Sequence, residues 1–187
     1  MLRNYQGVRI RVRGLLGNAR LSLQLDFGFG DVIVPGPVWI EYPELLDFGQ
    51  PRLLSYTPES AVAEKFQAMV ELELANTRLK DFYDLWMLSR SLAFDGAVFT
   101  QALAATFKRR ETPLPISPPL ALTSVFSADP SKEAQWKAFL RKGRLEAGAK
   151  MLSEVVSEIS EFLLPPAYAA AAGRSFEMKW SPPGPWQ

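Results

Sequence analysis

The stretch from Tyr56 to Leu88 constrains the fold most, because it has the pattern of two consecutive amphipathic helices. At about 100° per residue, the apolar side chains of the first helix fall on one side, and Lys65 lies among them. The other members of this stripe are Val62, Phe66 and Met69. A lysine there either lays its stem on the core with its ammonium in water or has a function, and the pattern alone favours the first interpretation.

The second helix is expected from about residue 78 to residue 92, and it carries Asp81 and Asp84 on the side of its leucines. Residues three apart are neighbours on a helix surface. Two carboxylates on a largely buried helix indicate a metal site, a proton-transfer role or a buried basic partner. In the alternative, Asp81 only complements the helix N-terminus and Asp84 only pairs with Arg78 or Lys80.

Residues before this stretch alternate between apolar and polar, which predicts strands. One strand covers residues 7–13, a second covers about residues 20–29, and Gly17-Asn18 suits the turn of an antiparallel hairpin. Asp26 falls on the polar face of the second strand. It either faces a cleft or forms a weak cross-strand ion pair with the arginines of the first strand.

The 187-residue chain contains no cysteine and no histidine. This composition excludes disulfides, thiolate chemistry, Ser-His-Asp triads and histidine-ligated zinc, so any metal must be bound by oxygen. The formal net charge of +1 gives no global basic field for nucleic acid, although a local patch is compatible with it. No segment resembles a signal peptide or a membrane span, and we expect a soluble cytoplasmic protein that does not bind membranes.

The change from a period of two to helical periodicity predicts an α+β protein with a small, mainly antiparallel sheet followed by a helical lobe. We assign residues 1–55 to the sheet region, 56–165 to the helical lobe and 166–187 to a Pro/Ala-rich tail. Pro165-Pro166 is expected to end a long helix, and the tail is expected to be mobile unless it docks. The run Lys108-Arg109-Arg110 complements a helix C-terminus or, in the alternative, contacts RNA phosphates.

The same stretch resembles the AbiEii/AbiGii-type nucleotidyltransferase toxins of type IV toxin–antitoxin, abortive-infection systems. Two family motifs read roughly Y-x-x-E-x-x-x-A-E-K and R-x-K-D-x-x-D-L. The matching residues are Tyr56, Glu59, Ala63, Glu64 and Lys65, followed by Arg78, Lys80, Asp81, Asp84 and Leu85. The segment LQLDFGFGD, residues 23–31, is similar to a further motif in which a strand aspartate precedes a G-D turn.

This resemblance implies a nucleotidyltransferase-like fold and transfer of a nucleotide from an NTP, with Mg²⁺, to an RNA such as tRNA. It also implies a cognate antitoxin as partner. Residue by residue, Asp26 corresponds to a metal-site carboxylate and Lys65 to a phosphate contact. Asp84, with Asp81, corresponds to the essential acid of the last motif. We expect these four residues to converge on one cleft.

The sequence departs from the family in its first motif, because it contains no D-x-D. We therefore expect either a fragment or a decayed member that is inactive alone and binds Mg²⁺–NTP weakly. Strands lacking their neighbours would leave an exposed sheet edge, which favours self-association. The alternative function is a non-catalytic protein-interaction module that retains the fold, and a free-standing RNA-binding domain is a third interpretation.

Overall fold

The alternating sequence near the start of the chain forms an antiparallel hairpin of strands β1 (Gly7–Leu16) and β2 (Ala19–Gly28). The computed structural model of the protein describes residues 7–44, 46–145 and 150–187. Gly17 has a φ of 58°, a conformation that glycine adopts without strain and that a tight hairpin turn requires. The hairpin belongs to a first compact unit, Met1–Val32. Within the described residues, β1 and β2 pair only with each other.

The second compact unit, Ile33–Gln187, is mainly helical and contains two further pairs of short antiparallel strands. Its strands are β3 (Val38–Glu41), β4 (Arg52–Ser55), β5 (Phe94–Asp95) and β6 (Lys179–Trp180). Its helices are α1 (Pro58–Leu72), α2 (Leu79–Ser91), α3 (Gly96–Arg109), α4 (Ser124–Ser127), α5 (Pro130–Gly143) and α6 (Leu152–Ala171). These elements confirm the predicted α+β class, with small antiparallel sheets and a helical lobe.

Local sequence sets the starts of three of these helices. Thr57 caps α1 and Pro58 occupies its first turn, where a proline loses no helical hydrogen bond. The Asp95 carboxylate accepts hydrogen bonds from two backbone N–H groups at the start of α3, and Asp129 does the same for α5. Each cap satisfies donors that a helix N-terminus otherwise leaves unpaired.

Helices α1, α2, α3 and α6 pack around one apolar core in the second unit. Aromatic rings form much of it: Phe99 stacks on Phe162 with centroids 5.3 Å apart, and Phe82 stacks on Phe126 at 5.0 Å. Such rings bury large apolar areas, which is the main stabilising contribution to a helical lobe of this size. The core fixes the relative positions of α1 and α2, which carry the candidate site.

Helix α6 differs from the sequence-based expectation, because it continues through Pro165-Pro166 to Ala171. Pro166 has no N–H to donate to the carbonyl of Phe162, four residues earlier. The indole Nε1–H of Trp186 donates to that carbonyl instead, at 3.0 Å. Burial of Phe162 and Ala167 in the core further offsets the poor helix propensity of the prolines.

The C-terminal tail is docked against the helices. Its strand β6 pairs with β5, and Trp180 and Trp186 are both buried. Nε1–H of Trp180 donates to the carbonyl of Ser89 at 2.6 Å, in the last turn of α2 where helical acceptors lack intrahelical donors. Gly96 is required at the crossing, since a Cβ there would lie 2.5 Å from the carbonyl oxygen of Met178. The tail therefore completes the helical unit.

No helix in the described part of the chain is long and apolar enough to cross a membrane. The division of the chain at residues 55 and 165 remains a prediction.

Candidate functional site

Helix α1 places Lys65 at the border of the core. Val62, Phe66 and Met69 on the same side of the helix are fully buried, which anchors this face. The Lys65 side chain is 23% exposed, so its stem lies on apolar surface and its ammonium is largely withdrawn from water. A lysine in this environment requires anionic partners.

Helix α2 supplies those partners. Phe82 and Leu85 are fully buried and hold the helix against the core, while Asp81 and Asp84 lie beside them on the side that meets α1. Asp81 is in the first turn of α2. The carboxylates are 16% and 23% exposed, which is low for aspartates on a helix surface.

The ammonium of Lys65 bridges the two carboxylates. Nζ donates to Asp81 Oδ1 and to Asp84 Oδ2, both at 2.7 Å. Asp84 Oδ2 also accepts a hydrogen bond from Lys80 Nζ at 2.5 Å, and Lys80 is 71% exposed. We call Lys65, Lys80, Asp81 and Asp84 the Lys–Asp cluster. Its two positive and two negative charges balance.

The cluster stabilises the charged form of its members. Burial by itself lowers the pKa of Lys65, but its hydrogen bonds to Asp81 and Asp84 outweigh burial and raise the pKa above the usual lysine value. Burial by itself raises the pKa of Asp84, but hydrogen bonds from Lys65 and Lys80 outweigh it and lower that pKa. The ammonium of Lys65 therefore stays protonated at neutral pH, and the Asp84 carboxylate stays ionised.

An ammonium has three N–H donors, and the two aspartates accept two of them. Within the described residues, the third N–H makes no hydrogen bond. The aspartates fix the direction of Nζ, so that Lys65 is oriented before any ligand arrives. The ammonium of Lys65 is thus held by two carboxylates rather than extended into water, and a functional role for it stays a prediction.

Asp26 lies on β2, in the first unit, opposite Arg9 of β1. Arg9 Nε donates to Asp26 Oδ1 at 2.6 Å, and Gln24 Nε2 donates to Asp26 Oδ2 at 3.0 Å. Hydrogen bonds from Arg9 and Gln24 hold the pKa of Asp26 below its usual range. This is the cross-strand ion pair that the sequence offered as the simpler interpretation of Asp26. The structure thus brings Lys65, Asp81 and Asp84 together, and the convergence of Asp26 with them stays a prediction.

Within the described residues, no three side chains of the types that bind metals lie close enough together to hold one metal ion. The available carboxylates of the Lys–Asp cluster share an ammonium, and both oxygens of Asp26 accept hydrogen bonds. These donor sets do not by themselves fit a divalent metal, which usually requires several carboxylates.

A second polar cluster adjoins Lys65 on α1 and was not recognised in the sequence. Gln67, fully buried, accepts from Arg110 Nη1 at 2.9 Å and donates to Thr112 Oγ1 at 2.8 Å. Arg110 also pairs with Glu64 at 3.2 Å, next to Lys65 in the chain. Arg110 therefore ties α3 to α1 and is engaged within the protein. Nothing local in the sequence distinguishes it from Lys108 and Arg109, since Gln67 is 43 residues away.

A family model described as Nucleotidyl transferase AbiEii toxin, Type IV TA system, matches residues 2–170 of the chain. This range contains nearly all of the first unit and the second unit up to the last turn of α6, and therefore the whole Lys–Asp cluster together with Asp26. No curated protein and no solved structure matches the chain.

Proposed function

Because the chain belongs to the AbiEii family of nucleotidyl transferase toxins of type IV toxin–antitoxin systems, we propose that it acts in transfer of a nucleotide from an NTP to an RNA such as tRNA. Membership of a type IV toxin–antitoxin family implies that an antitoxin is the partner of this chain. The observation that carries the proposal is the ammonium of Lys65, which is held between Asp81 and Asp84 at the junction of two motif helices.

Lys65 is proposed to bind a phosphate group of the triphosphate. Its raised pKa keeps the positive charge that a phosphate requires. Its third N–H is the donor left for the ligand. Because the cluster is neutral overall, an arriving triphosphate meets no net repulsion from the two aspartates. Phosphoryl and nucleotidyl transfer depend mainly on positioning and charge neutralisation, which is what a fixed ammonium supplies.

Asp81 and Asp84 are proposed to act by orienting Lys65. A general base works best with a pKa near the operating pH, whereas the pKa of Asp84 is lowered. Orientation through two short hydrogen bonds therefore suits Asp84 better than proton abstraction does. The essential acid of the family motif is interpreted here as the residue that holds the phosphate-binding lysine in place.

By resemblance to the family, Asp26 is proposed as a carboxylate for Mg²⁺, but in the structure both of its oxygens accept hydrogen bonds from Arg9 and Gln24. The described residues provide no further carboxylates that could complete a metal site, and the sequence has no D-x-D. We therefore propose that the chain as given binds Mg²⁺–NTP weakly and does not transfer nucleotide alone.

The proposal is tested by ligand-detected NMR with millimolar NTP, a method that registers weak binding. Lys65→Met is expected to abolish the signal from the nucleotide, because it removes the oriented ammonium. Lys137→Met on α5 removes an equally charged side chain that is 72% exposed, and it is expected to bind like wild type. Equal signals from the two variants would remove Lys65 from the site.

Incubation with each labelled NTP and total tRNA tests competence. We expect no labelled RNA from this chain by itself. Transfer of label, or micromolar Mg²⁺–NTP affinity in a calorimetric titration, would show that the chain is competent without a D-x-D motif.

A further inference from the structure

The polar face of the β1–β2 hairpin carries a row of arginines. In an antiparallel pair, directly opposite residues point to the same face. The cross-strand pairs on this face are Arg9 with Asp26, Arg11 with Gln24, Arg13 with Ser22, and Leu15 with Arg20. Each successive pair thus presents one arginine. We call this side of the hairpin, with Arg9, Arg11, Arg13 and Arg20, the arginine face.

Asp26 is the one carboxylate among these cross-strand pairs, and Arg9 binds it through two hydrogen bonds. Arg11, Arg13 and Arg20 are exposed, and within the described part of the chain none of them forms an ion pair. Their opposite residues are neutral. Three guanidinium groups are therefore presented to solvent from one face of the hairpin.

The charge of the chain is distributed unevenly, which the net value of +1 conceals. Residues 1–32 contain five arginines and two aspartates, whereas the remaining chain contains 16 basic and 18 acidic residues. The positive charge of the protein is thus concentrated where the arginine face lies. A local basic surface on a nearly neutral protein is the expected footprint of a polyanionic partner.

The dimensions of the row fit a polynucleotide strand. Residues that share a face of a strand are about 6.7 Å apart, so the two steps from the Arg11 pair to the Arg20 pair span about 13 Å. A nucleic-acid strand carries a phosphate about every 3.4 Å along its axis, and several phosphates fall within that length. Gln24 and Ser22 are the cross-strand partners of Arg11 and Arg13, and the Gln24 side-chain oxygen and the Ser22 hydroxyl can hydrogen-bond ribose hydroxyls.

We propose that the arginine face binds the phosphate backbone of the acceptor RNA, without sequence preference, through Arg11, Arg13 and Arg20. The identity of the strand as the acceptor rests on the proposed function. Guanidinium forks are well suited to phosphate oxygens, because they donate two parallel hydrogen bonds. An anionic lipid surface would be bound through the charge of the arginines alone. The neutral hydrogen-bonding partners Gln24 and Ser22 on the same face favour RNA instead.

The test measures binding of the full chain to a fluorescent tRNA, and to a labelled oligouridine, over a series of salt concentrations without nucleotide. The variant Arg11→Gln/Arg13→Gln/Arg20→Gln should lose about tenfold or more in affinity at low salt. It should also reduce the magnitude of the negative slope of log affinity against log salt by about 2, since each lost contact contributes roughly 0.7. The matched control Lys137→Gln/Arg141→Gln/Lys142→Gln removes the same charge from exposed positions of α5 and should change the affinity less than about twofold.

A second variant guards against loss of the hairpin fold. Arg11→Lys/Arg13→Lys/Arg20→Lys keeps the charges and removes the forks, and it should retain most of the salt slope with a smaller loss of affinity. Binding to phosphatidylserine vesicles and to free NTP is measured with the same variants. The inference is overturned by any of four results: no RNA binding by wild type, unchanged RNA binding by the arginine-to-glutamine variant, equal losses in that variant and in the α5 control, or losses confined to vesicles or free NTP.

Failure of the proposed function gives a different result, because the binding assay does not depend on catalysis. If the chain never transfers nucleotide under any condition but the glutamine variant loses RNA, the arginine face stands as an RNA-binding surface and the transferase proposal fails. If labelled nucleotide is transferred while the glutamine variant binds RNA like wild type, only the inference fails.

Discussion

Lys65 lies between two carboxylates in a partly buried position, and this makes its contribution to stability depend on both partners. The three side chains are between 16% and 23% exposed, so solvent screens their interaction less than it screens a surface pair. Removing the ammonium alone would leave two like charges close together. Removing all three charges would leave no uncompensated charge among them, and asparagines at positions 81 and 84 could still hydrogen-bond.

Lys65→Met is expected to lower the free energy of unfolding by about 1–3 kcal/mol at pH 7, because it leaves Asp81 and Asp84 without their shared cation. Lys65→Met/Asp81→Asn/Asp84→Asn should recover most of this loss. Chemical denaturation with urea measures both values. The control Lys80→Met, at a position that is 71% exposed, should change the stability by less than about 0.5 kcal/mol.

The effect of Lys65→Met depends on pH with a defined sign. The pKa of Asp84 is lowered in the folded protein, so its stabilisation is complete above the ordinary value of 3.8 and is lost as pH falls through the folded pKa. The pKa of Lys65 is raised, so its stabilisation is complete below 10.5 and is lost as pH rises through the folded pKa. The difference from wild type should be largest between these limits. A difference that grows on acidification would contradict the ion-pair account.

At the scale of elements, α6 and the C-terminal tail depend on each other. Pro166 leaves the carbonyl of Phe162 without its usual helical donor, and Nε1–H of Trp186 replaces that donor from the tail. The rings of Phe162 and Trp186 also stack, with centroids 6.0 Å apart. A helix with two internal prolines is thus kept intact by a contact between residues 24 positions apart in the chain.

Trp186→Phe keeps an aromatic ring and removes the donor, and it should cost about 1–3 kcal/mol of stability by leaving a buried carbonyl unsatisfied. The loss should be smaller in a Pro166→Ala background, because that substitution would restore a backbone N–H to the same carbonyl. Thermal and urea unfolding of wild type, both single variants and the double variant measures the coupling.

Trp39→Phe is the matched control, since Trp39 is 59% exposed. It should leave the stability nearly unchanged. Additive effects of Trp186→Phe and Pro166→Ala would show that the two groups do not share the Phe162 carbonyl.

At the scale of the whole molecule, the apolar core belongs to the second unit. All of its buried members lie beyond residue 60, and Val34 packs against it from the start of that unit. The hairpin is two-stranded within the described residues, and an isolated pair of strands is marginally stable. The two units should therefore differ greatly in intrinsic stability.

A protein of residues 33–187 is expected to fold without the hairpin, with its melting temperature within about 4 °C of the full chain. Its far-ultraviolet circular dichroism should retain the helical signal. A molten or unfolded fragment would show that the helical unit requires residues 1–32. If the fragment stays monomeric where the full chain associates, the predicted self-association is assigned to the hairpin edges.

The sequence by itself determined the hairpin, the motif helices and several helix starts, but not the end of α6. Alternation fixed the hairpin, helical periodicity fixed α1 and α2, and Thr57, Asp95 and Asp129 are caps because their short polar side chains reach nearby N–H groups. It also placed Lys65, Asp81 and Asp84 on inward-facing sides, and its motifs led to the family. These features follow from interactions between residues a few positions apart, which a linear pattern records.

Only the tertiary structure decided which partners these residues have. Lys65 meets Asp84 across 19 residues, Arg110 meets Gln67 across 43, and Trp186 reaches the Phe162 carbonyl across 24. Such contacts depend on how helices pack, and local propensity carries no information on that packing. The same reason explains the error at Pro165-Pro166: the local cost of two prolines was visible in the sequence, whereas the core packing and the distant indole donor that offset it were not.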